Sequence, residues 1–292
     1  MDLRAVAMGV GFALIWASAF TATRVVAIAF PPLTALVIRF AISGVIGVAL
    51  ARAMGQTWRL SRDEWRALIV FGICQNGLYL GFAWYAMQTV EASAAAIIAS
   101  TMPLVVAVMG WAAFGDRPRP MAVIGLVLGF LGVALTMGVR ITAGLDPFGA
   151  MLCVFGVIAL SLATLAVRGT SGRNLFMVVG LQMLVGSAFL LVPAILLERG
   201  MPITVTPVVV VGILYSILMP GLFATWLWIA LVQRIGTVRA ATYHFLSPIF
   251  GIAIAAAWLH EPFGISDVAG AAIVGLGILM VQRARVSQVA GR

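Results

Sequence analysis

Residues 116–132 read DRPRPMAVIGLVLGFLG, and residues 261–277 read EPFGISDVAGAAIVGLG. Each stretch opens on an acidic residue, Asp116 or Glu261, with a proline close behind. Nine positions on, each enters a glycine-rich apolar run, through Gly125 and Gly132 in one and Gly270 and Gly277 in the other. The offset is 145 residues, and it extends outward without a gap to Gln88 with Gln233 and Pro103 with Pro248. The second half of the chain therefore repeats the first, with halves at 1–143 and 144–292.

The repeated units are membrane spans. The chain is 63% hydrophobic and 9% charged, with a mean hydropathy of +1.14. Soluble globular chains carry roughly 25% charged residues, so too little polar surface exists for a water-soluble fold. Charged or Pro/Gly-rich breaks leave ten apolar runs, at 5–29, 32–52, 66–86, 93–113, 120–140, 147–167, 174–197, 207–230, 237–259 and 265–283. Each has about the 20 residues a bilayer crossing needs. Five spans per half is an odd number, so the second half must enter the membrane inverted. The expected fold is an all-α membrane protein, with ten transmembrane helices in two inverted five-helix repeats.

The charges orient it. All 18 basic residues are arginine, and the net charge is +9. With the N-terminus cytoplasmic, the inside segments hold 14 arginines, while Arg140 and Arg199 lie outside and Arg24 and Arg39 near outer helix ends. Excess basic residues mark cytoplasmic loops, so both termini are expected in the cytoplasm of a multi-pass bacterial inner-membrane protein. The arginines sit singly between apolar runs, which excludes a nucleic-acid surface. Ala17-Ser18-Ala19 resembles a signal cleavage site, but its run has a counterpart in the second half and reads as a retained helix. Cys74 and Cys153 are expected as ordinary buried thiols. Neither a metal site nor a cofactor is expected.

Polar or broken helix centres in lipid call for an explanation. Pro103 and Pro248, near the centres of helices 4 and 9, each remove a backbone donor and are expected to kink their helices. Around them stand Ser100 in one half and Tyr243, His244 and Ser247 in the other. Helix 3 carries Gln75, Asn76 and Tyr79 at its middle, and the counterpart of Gln75 is Pro220, a kink in helix 8. Trp16 lies mid-helix 1, away from the interfacial position where tryptophan is usual. These residues are expected to line a central cavity, with the three prolines as kinks or gates. Interhelical hydrogen-bond glue is the competing reading for the amides. Trp84, Trp111, Trp228 and Trp258 read as interfacial belt residues, and Arg39 as a snorkelling residue or one paired with a carbonyl or helix C-terminus. No Asp or Glu lies near a span centre, which argues against proton-coupled efflux of cations and for a neutral or zwitterionic solute.

Leu14-Ile15-Trp16-Ala17-Ser18-Ala19-Phe20, Arg39-Phe40, and the Asp116–Gly125 and Glu261–Gly270 pairs together resemble the drug/metabolite transporter superfamily, in its ten-helix EamA-type branch. The resemblance covers essentially the whole chain and is nearest the aromatic amino-acid exporters. It departs from them at Asp116, where Glu is commoner, and at Ala17, where Gly is. It implies a secondary transporter or facilitator exporting aromatic or other neutral amino acids by alternating access, acting as a monomer on a small-molecule substrate within the lipid bilayer. Multidrug or sugar-nucleotide export is the alternative, though a sugar-nucleotide site should show several central basic residues. A non-transporting scaffold or channel is the reading from another class. No catalytic pair stands within the spans, so an enzyme is not expected.

Overall fold

The computed structural model describes residues 2–115, 119–142, 144–166, 174–235, 243 and 246–289, with the side chains of 114, 141, 142, 229, 232, 233 and 282–289 outside that description. Among the described residues every regular element is helical. The helices are α1 (Leu3–Ala29), α2 (Pro32–Ala53), α3 (Arg62–Phe71), α4 (Leu80–Ala86), α5 (Ala92–Ser100), α6 (Met102–Phe114), α7 (Pro120–Thr142), α8 (Pro147–Ala166), α9 (Leu175–Leu197), α10 (Pro207–Ser216), α11 (Ala224–Ile235), α12 (Ser247–Leu259) and α13 (Ile265–Val289). Two π-helical segments interrupt them, π1 (Gly72–Tyr79) and π2 (Ile217–Phe223). Among the described residues, eight continuous stretches are long and apolar enough to cross a bilayer, and Ser247–Leu259 and Ile265–Val281 are two shorter apolar helices.

The termini follow local chemistry. Prolines stand at the first or second position of α2, α6, α10 and α12, where the missing N–H would have been unsatisfied anyway. Ser61 and Glu64 form a reciprocal capping box that starts α3 at residue 62, four residues before the apolar run predicts. Gly115 ends α6 in the left-handed region at φ 68°, which glycine enters without strain.

The internal repeat extends to element boundaries. Helical segments that begin at 62, 72, 102 and 120 have counterparts that begin at 207, 217, 247 and 265, each 145 residues on. The chain divides into two compact units that draw on both halves. One contains residues 1–21, 89–150 and 223–292; the other contains 22–88 and 151–222.

In the first unit, α7 crosses α13, its own counterpart, through glycines. A Cβ on Gly125 would stand 2.5 Å from the Gly277 carbonyl oxygen, and one on Gly132 would stand 2.8 Å from that of Gly270. The lower-numbered glycine of each helix meets the higher-numbered glycine of the other, so the crossing is antiparallel. Small residues allow such backbone approach in membranes. Leu104, Leu126, Val274 and Ile278 complete a buried cluster around the crossing. At the end of α7, Arg140 donates from Nε to Asp267 Oδ1 at 2.8 Å and also pairs with Glu91. Glu261 accepts from the Ala92 and Ser93 amides at 2.7 and 3.0 Å and from the Ser93 hydroxyl at 2.6 Å, capping α5.

The second unit is built the same way. Its α2 crosses α9 where a Cβ on Gly44 would lie 3.0 Å from the Gly180 carbonyl oxygen. Glu198, just past α9, accepts from the Leu33 and Thr34 amides at 2.6 and 2.8 Å and from the Thr34 hydroxyl at 2.7 Å, capping α2. Apolar side chains are left outward on the long helices, including Leu196 at 71% and Val211 at 64% exposure. A water-facing surface would not carry them; lipid tails accept them without cost.

Candidate substrate site

Gln75, Asn76 and Tyr79 all fall within π1, and Pro220 falls within π2. In a π-helix the backbone ladder widens to i→i+5, a rare geometry that frequently occurs at functional sites. Here it occurs twice at the repeat spacing. Pro220 has no N–H to give the ladder, which gives π2 a local reason to widen. The kink expected at helix 8 is thus a stretch of altered winding. Asn76 is buried and donates from Nδ2 to the Gln182 carbonyl at 3.0 Å, tying π1 to α9. Gln75 is half-buried, and Tyr79 is buried against Gly156 of α8, where a Cβ would stand 3.3 Å from its ring.

In the same unit lies Arg39 of α2, a residue left without a settled role by the sequence. It does not snorkel, and among the described residues it pairs with no carbonyl. It is 7% exposed, and its guanidinium carbon lies 5.4 Å from the Phe40 ring centroid and 5.7 Å from that of Trp84. Among the described residues its buried Nε has no hydrogen-bond partner, and neither do the buried Ser43 Oγ and Trp84 Nε1. Trp84 is 1% exposed and belongs to this core, which corrects the belt assignment; the sequence shows its nearness to a helix end but not the cover of neighbouring helices. Trp111 at 49% and Trp258 at 75% do face outward.

The other sequence-selected residues belong to the first unit. Trp16 stacks on Phe12 at 5.9 Å, and Phe12 packs against Trp228 at 4.9 Å. Trp228 is therefore part of an internal aromatic stack, another departure from the belt reading. Tyr243 packs beside Met8 and Trp228 in an adjoining cluster. Pro103 sits at the break between α5 and α6, where the Ser100 and Thr101 hydroxyls fold back onto the Ile97 and Ile98 carbonyls at 2.6 Å each. Pro248 stands at the start of α12 beside Ser247, whose buried Oγ has no partner among the described residues. His244 and Asp116 lie outside the described residues.

The sequence pattern of the EamA-like transporter family matches this chain twice, over residues 3–138 and 147–283. The chain belongs to the EamA-like transporter family. This EamA protein is accordingly a multi-pass membrane transporter of small molecules, not an enzyme. It is 27% identical over 265 residues to the uncharacterized transporter YvbV of Bacillus subtilis, covering 89% of this chain and 85% of that one. It is 21% identical to protein PecM of Dickeya dadantii, over 92% and 89% of the two chains. With the uncharacterized inner membrane transporter YedA of Escherichia coli K12 it shares 22% identity over 82% and 78%. One crystal structure matches 97% of this chain and 99% of its own with a TM-score of 0.65 at 20% identity, a likeness of fold.

Proposed function

We propose that this EamA protein exports neutral amino acids, aromatic ones among them, across a bacterial inner membrane by alternating access, as a monomer with both termini cytoplasmic. The observation that carries this reading is the pair of π-helical segments at the repeat spacing, one bearing Gln75, Asn76 and Tyr79 and the other Pro220. Inverted-repeat transporters build their sites from discontinuous helices, and irregular backbone at membrane depth is tolerated where it is buried in protein or lines a cavity. Residues 1–143 and 144–292 act as the two halves of such a machine. The aromatic residues Trp16 and Tyr243 and the hydroxyls of Ser100 and Ser247 supply surfaces for an amphipathic solute, with His244 as a further polar group and Pro103, Pro220 and Pro248 as the flexing points. The inner-membrane location of YedA and the arginine bias support the placement.

Counterflow in proteoliposomes loaded with single amino acids tests the reading. Saturable exchange of at least one neutral amino acid is expected, and no flux for any of them would overturn the substrate class. Orientation has its own check. In a variant with Cys74 and Cys153 replaced, Ile203→Cys should react with a membrane-impermeant maleimide in intact cells, whereas Gln56→Cys should react only after lysis.

A further inference from the structure

We propose that Arg39, with Ser43, Trp84 and Tyr79, forms a carboxylate-recognition site in the second unit, at which the transported solute is held by its acid group. The inference rests on the export reading and adds the chemical group that the protein grips.

The argument begins with a cost. A guanidinium stays protonated in proteins, and a charge buried in a membrane span is expensive unless it is paired. Arg39 stands seven residues past Pro32 in α2, about 11 Å along the helix axis. It forms no hydrogen bond or ion pair with another described residue; its close contacts are the faces of Phe40 and Trp84. Ring faces attract a cation but accept no directed N–H bond of the kind a carboxylate does. The second unit offers no acid of its own to do so. Asp63 and Glu64 lie in the first turn of α3, and Glu198 is committed to the amides that start α2.

Three further observations bring the polar groups together. Arg39 and Ser43 are four residues apart in α2 and so share a face. Trp84 approaches Arg39 with its Nε1–H unpartnered among the described residues, and Tyr79 of π1 lies within electrostatic reach of Arg39. Gly221 of π2 comes so close that a Cβ there would stand 3.5 Å from Ser43 Oγ. π2 therefore borders the face of α2 that carries Ser43. What gathers there is a fixed positive charge, two buried donors without partners and a phenol. A carboxylate answers each need: it pairs with the guanidinium in a fork-to-fork arrangement and accepts from hydroxyl and indole N–H. It also cancels the buried charge, so that the loaded site is neutral.

The test uses the full chain in detergent and in proteoliposomes. Thermal stabilisation is measured with benzoate, with the twenty amino acids and with the matching amides of those that stabilise. At least one free acid should stabilise the protein while its amide does not. Arg39→Gln should weaken binding of that acid about 10- to 100-fold, the range for loss of a charged hydrogen bond. Arg39→Lys should retain part of it, and Arg66→Gln at the exposed start of α3 none of the loss. Equal stabilisation by acid and amide, no stabilisation by any acid, or unchanged affinity in Arg39→Gln would overturn the proposal. So would Arg39-dependent stabilisation by inorganic phosphate and not by carboxylates. If Arg39→Gln does not fold, the acid-against-amide comparison on the unaltered chain decides. Arg39-dependent binding without flux would sink the export reading alone, whereas equal flux of acid and amide would sink this site alone.

Discussion

Arg140 holds two carboxylates, Glu91 and Asp267, while only 7% of it is exposed. Removing one partner of a buried ion pair costs about 3–5 kcal/mol, because the other charge stays behind unpaired. Arg140→Met should therefore lower the melting temperature of the detergent-solubilised protein sharply, and adding Asp267→Leu should recover part of the loss. Glu198 and Glu261 act differently, as caps borrowed from a neighbouring helix. Replacing either by Ala should cost about 0.5–2 kcal/mol, and the Gln variants less, since an amide oxygen still accepts one bond. At this scale the sequence shows which residues are odd but not who meets whom. Arg140, Glu91 and Asp267 lie far apart along the chain, and nothing in their spacing marks a cluster. Trp84 reads as interfacial by its position, yet neighbouring helices cover it. Arg39 stands out as a charge within a span, but its aromatic surroundings come from packing alone.

The elements were far more legible, because a span is written in about 20 consecutive residues and its ends in local turn chemistry. Pro103 and Pro248, expected to kink helices 4 and 9 near their centres, stand instead at the starts of α6 and α12. The π segments are not legible in the sequence, because a widened ladder needs no special residue type; only Pro220 and the polar pair Gln75 and Asn76 hint at one. Packing between elements makes sharp predictions. Gly277→Ala would set a Cβ 2.5 Å from the Gly125 carbonyl oxygen, between backbones that cannot yield, and overpacking of this kind costs about 1–3 kcal/mol. Gly275→Ala, two residues earlier, meets nothing within 4 Å and should be neutral or slightly stabilising by helix propensity. Thermal melts of the two variants side by side check this. At the start of α8, the Thr89 hydroxyl and the Gly149 and Phe148 amides hold Asp146 below the usual carboxylate range. A folded-state value below that of the unfolded chain stabilises the fold at higher pH, and the gain is lost as pH falls through the folded value. Asp146→Asn should therefore flatten the acid limb of stability below about pH 4, measured as melting temperature against pH.

For the molecule as a whole, the sequence repeat and the compact units divide the chain differently. The repeat splits it once near the middle, while each unit takes helices from both halves. Neither half can bury its helix faces by itself. Residues 1–143 and 144–292 expressed as two separate chains should thus copurify through a tag on either one, and each alone should be unstable. Failure to copurify would place the stabilising contacts elsewhere. The crossing of α7 with α13 carries the matter further. Because Gly125 faces Gly277 while Gly132 faces Gly270, the contact is isologous, the kind that two identical subunits make about a two-fold axis. Covalent linkage adds nothing to its geometry. The glycine spacing that permits this crossing is the same in both halves, so the contact itself does not require its two helices to be joined in one chain.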